Sequence, residues 1–100
     1  MADGTRSDLY EALQARIQRE VLTVHPQLQP LEVDVFFADE LLFASATRRN
    51  DDGSVRWRSS HAATPDSHAL PHLADAGEDL LARIVADARL SAAVDGGEGA

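Results

Sequence analysis

The chain has neither cysteine nor lysine anywhere in its 100 residues. Without a thiol it can form no disulfide, present no thiolate nucleophile and build no cysteine-held zinc or iron–sulfur site. Without a lysine it can form no Schiff base, and it lacks the amine that a P-loop sets on its phosphates. Long apolar runs are missing too, since no uncharged stretch reaches the roughly 18 residues that a membrane helix needs. Met1 to Ser7 is polar and is not followed by the apolar stretch of a secretion signal. These absences predict a soluble, cytoplasmic protein without membrane contact, and no cofactor is expected.

What the chain does hold is acid. Seventeen carboxylates against nine arginines leave a formal charge of -8 and a pI near 4.7, so the summed field opposes phosphate backbones and anionic membranes unless positive charge is gathered locally. An apolar share of 44% suits one packed domain with a modest core. The use of Arg without Lys, together with abundant Ala and Asp, points to a GC-rich bacterial genome.

Ser7 is a helix cap, and Asp8 and Glu11 follow in the first turn, where negative charge meets the positive end of the helix dipole. Leu9, Leu13, Ile17 and Val21 then recur every four residues, with Tyr10 and Val24 in the same arc, so one face of this helix is apolar. Glu20 projects near that arc and is expected to turn outward or pair with Arg16. Pro26 and Pro30 stop the helix. From Leu31 to Phe37 the alternation of Leu31, Val33, Val35 and Phe37 with Glu32, Asp34 and Phe36 is the period of a half-buried strand, and Ala38, Asp39 and Glu40 make a tight connection.

The sharpest local signal follows. The run Leu41–Arg49 ends at Asn50-Asp51-Asp52-Gly53, where Asn opens a type I turn and Gly accepts the left-handed conformation that closes it with a bulge. If Asn50 faces Ser54, the register pairs Arg49 with Val55, Thr47 with Trp57, Ser45 with Ser59 and Phe43 with His61. The expected buried face is that of Phe43, Val55 and Trp57, because the opposite choice exposes the lone Trp and buries two Arg. Leu42, Ala44 and Ala46 nevertheless resemble a strand side on which a helix could pack, and a shifted register would reverse the assignment.

Residues 62–70 form a connection of Thr, Pro, Asp and Ser. A second helix opens near Pro71, with Leu73, Leu80, Leu81, Ile84, Val85 and Ala88 as its apolar arc and Asp79, Arg83 and Asp87 at its edge. Gly77 lies inside the arc, as a close approach to the sheet or the first helix would require. The expected architecture is therefore a two-layer α+β sandwich of helix, three-stranded antiparallel meander and helix, αβββα. The domain spans 7–92, between a flexible N-terminus, 1–6, and a flexible acidic tail, 93–100.

Four constellations bear on chemistry. His61, His68 and His72 fall close together with Asp66, and imidazole with carboxylate is a ligand set for divalent metals, although Pro71 breaks the helical spacing and ordinary loop residues are the better account. Ser59 and Ser60 flank His61, yet neighbours on a strand face opposite ways and no Gly-flanked nucleophile turn is present. Asp51 and Asp52 sit on an exposed turn, where nothing would lift a carboxyl toward neutrality.

The fourth is the hairpin's arginines, Arg48, Arg49, Arg56 and Arg58, of which the register puts Arg48, Arg56 and Arg58 on one side. Their plain reading is cross-strand pairing with Glu32, Asp34 or the acidic tail, and protection of sheet edges against aggregation. The functional reading is a docking surface. The same element order occurs in double-stranded RNA-binding domains, but those carry a basic cluster opening the second helix, and here residues 71–79 are acidic. The leading expectation is a small non-catalytic interaction module that forms a homodimer or binds a protein partner through its sheet edges or arginine-bearing hairpin. The alternatives are nucleic-acid or anion binding through Arg48, Arg56 and Arg58, and metal binding through His61, Asp66, His68 and His72.

Overall fold

In the computed structural model, which describes residues 2–99 and the side chains of 6–94, the elements are α1 (Ala2–Val24), a short 3₁₀ turn (Pro26–Leu28), β1 (Glu32–Ala38), β2 (Leu41–Arg49), β3 (Val55–Ala63) and α2 (Leu70–Gly99). The three strands form one antiparallel sheet in the order β1-β2-β3. The αβββα arrangement is thus the one the periodicities predicted. Helical backbone also covers the segment expected to precede the Ser7 cap, and α2 runs on to Gly99.

Both helices lie on one face of the sheet, α1 over β1 and α2 over β2 and β3. The chain reverses direction four times between the helices, at the α1–β1, β1–β2, β2–β3 and β3–α2 connections, so α1 and α2 run side by side in the same direction. Leu9 neighbours Leu70 and Ala74 at one end, Arg16 bonds Glu78, and Glu20 shares a groove with Val85 farther along. Gly77 sits at a tight contact between the helices, since a Cβ there would lie 3.0 Å from Leu13 Cδ2. The close approach expected of it is made to the first helix.

The core is aliphatic. Leu13, Ile17 and Val21 from α1, Leu28 and Leu31 from the connection, Val35 from β1, and Leu80, Leu81, Ile84, Val85 and Ala88 from α2 are all buried and form one cluster. The alternation in β1 reads out directly, with Val33, Val35 and Phe37 turned toward the helices and Glu32, Asp34 and Phe36 turned away.

The central and third strands depart from the expected register. Arg49 pairs with Val55 as foreseen, but Arg48 pairs with Trp57, leaving Arg56 as an extra residue in a bulge. From there on every partner differs by one: Thr47 faces Arg58, Ser45 faces Ser60 and Phe43 faces Ala62. The covered face therefore carries Leu42, Ala44 and Ala46, at 0 to 1% exposure, beside Trp57, Ser59 and His61. Phe43 lies on the uncovered face, stacked on Phe36 with ring centroids 5.0 Å apart, and Val55 is exposed. The expected burial of Phe43 and Val55 is thus overturned. A bulge adds one residue to one strand and so exchanges the faces of all that follow, and the small Ala44 and Ala46 leave room for the leucines of α2.

Candidate functional site

The bulge also disperses the arginines. Arg48 shares the covered face with Trp57, its guanidinium bonds the carbonyl of Arg49, and its Nε is buried without a partner among the described residues. Arg49 Nε donates to Glu32 Oε2 at 2.8 Å, and Arg49 Nη1 donates to the Gly53 carbonyl at 3.0 Å. Arg58, across the sheet, donates to Thr47 Oγ1 at 3.2 Å, and Arg56 is exposed. The grouping of Arg48, Arg56 and Arg58 on one side is therefore corrected. The four guanidinium groups point to different neighbours, and Arg49 makes the pair with Glu32 that a plain structural role predicts.

Nor do the histidines converge. His61 reaches across to α2, His68 stacks edge-on against Phe37 with centroids 5.1 Å apart, and His72 bonds Ser67. Asp66 lines a cleft of about 200 Å³ beside His72, Asp75 and Asp79. Among the described residues no three His, Asp or Glu side chains are grouped to hold a metal ion. The metal set His61, Asp66, His68 and His72 is accordingly not assembled, because β3 turns His61 toward α2 while the connection takes the others elsewhere.

The fold does assemble a Ser, His and Asp group that the sequence did not disclose. Ser59 Oγ donates to Asp87 Oδ2 at 2.6 Å, and His61 Nε2 lies 2.8 Å from the same oxygen. Residues 59 and 61 stand on one side of β3, and Asp87 descends on them from α2. The hydrogen bond from Ser59, then that from His61, holds the Asp87 carboxyl below its ordinary range. Both partners spend their polar atoms on one carboxylate oxygen, whereas a nucleophilic Ser must give its proton to the His. This group is a clasp between β3 and α2, and it satisfies the hydroxyl of Ser59, which is 3% exposed. No local signal marks Asp87, because its two partners lie more than 25 residues away in sequence.

A second feature lies on the outer side of the helix layer. A groove of about 690 Å³ follows the seam between α1 and α2, floored by Leu81 and Val85 and crossed by Arg16. Arg16 bonds both carboxylate oxygens of Glu78 and lies 3.6 Å from Glu20, the partner expected for it. The hydrogen bond with Glu78 raises the Arg16 pKa above its ordinary value, so this charge is compensated where it stands. Arg89, on the same groove, is exposed. No helix among the described residues is long and apolar enough to cross a membrane.

No protein-family model matches the chain, and no solved structure matches it. It is similar to a porphobilinogen deaminase of Leifsonia xyli subsp. xyli, with 41% identity over 66 residues. That stretch is 66% of this chain and 20% of the relative, so the match spans about a fifth of the relative's length. The likeness overturns the expectation of a non-catalytic interaction module, since the counterpart of this chain is part of an enzyme. Composition could not have disclosed it, because no residue pattern singled out in the sequence points to this reaction.

Proposed function

We propose that the chain works as one domain of an enzyme of the porphobilinogen deaminase type, in company with the portion of such an enzyme that it does not itself contain. The observation that carries this reading is the proportion of the match, two thirds of this chain but a fifth of the relative. A likeness on that scale is domain-sized, and the chain that carries it is an αβββα unit with its own core. The chain brings no thiol and no amine to covalent catalysis, and its Ser59, His61 and Asp87 are engaged with one another.

The test is made in a bacterial strain whose own porphobilinogen deaminase has been shortened by the segment that matches this chain. Expression of the chain in that strain should restore porphobilinogen consumption in extracts, while the purified chain alone should consume none. Extracts that stay inactive despite soluble expression of both polypeptides would overturn the reading.

A further inference from the structure

Along α2 the residues Ala82, Ala86, Leu90 and Val94 recur every four positions and so form one row. This row is separate from the buried arc of Leu80, Leu81, Ile84, Val85 and Ala88, and all four of its members are exposed. Leu90 and Val94 are 67% and 61% exposed, the highest values among the large apolar side chains of the described residues. The row begins inside the groove of about 690 Å³, where Ala82 and Ala86 keep the wall low, and continues past it. The helices run in the same direction and Glu20 already lines the groove near Arg89, so α1, which ends at Val24, stops while α2 goes on. Leu90 thus closes the groove at the end where α1 stops, and Val94 follows it one turn on.

A trough between two parallel helices, floored by Leu81 and Val85 and edged by an i, i+4 apolar row, has the shape that accepts a third helix. Its charges narrow the choice further. Arg16 is compensated by Glu78, and Glu20 beside the same guanidinium leaves one carboxylate in excess, so an apolar surface can cover the Arg16–Glu78 pair provided Glu20 stays open to water. Arg89 has no such partner among the described residues, and covering it calls for a carboxylate. We infer that this seam seats an amphipathic helix, apolar on one face and with an acidic residue placed to meet Arg89, from the part of a deaminase-type enzyme that this chain does not contain. The inference rests on the reading proposed above, in which four fifths of such an enzyme lies outside the matched stretch.

The experiment uses the full chain, isotope-labelled for NMR, and overlapping peptides of about 20 residues, long enough for several helical turns, tiling the unmatched part of the Leifsonia deaminase. At least one peptide should bind, gain helicity and shift the signals of Leu81, Val85 and Leu90. The double variant Leu90→Asp/Val94→Asp, whose changes fall on exposed sites and should leave the melting temperature unaltered, should weaken that binding about tenfold or more, the loss expected of a central contact. Arg89→Glu should weaken it as well. Binding that maps to the open sheet face, affinity indifferent to the double variant, or no binding by any peptide would each overturn the seam assignment. Restored deaminase activity in the shortened strain would then still uphold the reading beneath it.

Discussion

Asp39 and Glu40 make the two-residue link between β1 and β2 with φ of 53° and 64°. Two successive left-handed residues are the type I′ turn that hairpin twist favours, and Asn-Gly is the pair that adopts it with least strain. A side chain with a Cβ is disfavoured there, Glu more than Asp. The double substitution Asp39→Asn/Glu40→Gly should therefore stabilise the protein by about 1 kcal/mol, read as a higher urea midpoint with an unchanged slope. Asp87 makes the opposite case. Its replacement by Ala leaves the buried Ser59 hydroxyl without an acceptor, which should cost about 1–2 kcal/mol, the lower part of the usual range because Asp87 is two fifths exposed. The folded-state pKa of Asp87 is depressed, so its stabilisation is fully present above the unfolded value of about 3.9 and is lost as pH falls through the folded one. The stability gap between the protein and Asp87→Ala, followed by thermal melts across pH, should hold at neutral pH and narrow below about pH 4.

Among the elements, β2 is where sequence and structure part. Its two faces carry Leu42, Ala44 and Ala46 on one side and Phe43, Ser45 and Thr47 on the other, and residue type alone favours burying the phenylalanine. The bulge at Arg48 and Arg49 decides otherwise. Leu42→Ala should accordingly cost about 2–5 kcal/mol, the range for emptying a fully buried leucine site. Phe43→Ala, which removes a stack with an exposed Phe36, should cost less than about 1.5 kcal/mol. Urea denaturation of the two variants gives the order directly, and the reverse order would restore Phe43 to the core. The helices were more legible than the sheet. Leu13, Ile17 and Val21 on α1, and Leu80, Leu81, Ile84, Val85 and Ala88 on α2, are buried as their spacing requires, because a helix that lies on a sheet has one inward arc and the apolar residues mark it. A strand offers two faces one residue apart, so a single inserted residue outweighs any preference in composition.

On the scale of the molecule, net charge sets an overall tension. With -8 at neutral pH, like charges repel one another in the folded state, and salt that screens them should stabilise the protein. Calorimetry should show the melting temperature rising as sodium chloride is added from about 0.01 M to 0.15 M, where the Debye length falls from roughly 30 Å to 8 Å. A fall instead would mean that ion pairs such as Arg16 with Glu78 and Arg49 with Glu32 outweigh the excess of acid.

The sequence by itself determined the element order, the buried arcs of both helices, the turn at Asn50–Gly53 and the exclusion of cysteine and lysine chemistry, since each of these rests on residues near one another in the chain. The candidate site was legible in fragments. Arg16 beside Glu20 could be read at four residues' spacing, whereas Asp87 beneath Ser59 and His61 could not, nor could the groove at the outer seam. Tertiary structure alone decided which sheet face is covered, where the four hairpin arginines point, and that Leu90 of α2 lines one groove with Arg16 and Glu20 of α1. Those outcomes depend on a strand register and on the relative lengths and direction of two packed helices, and such quantities exist only once distant segments have met.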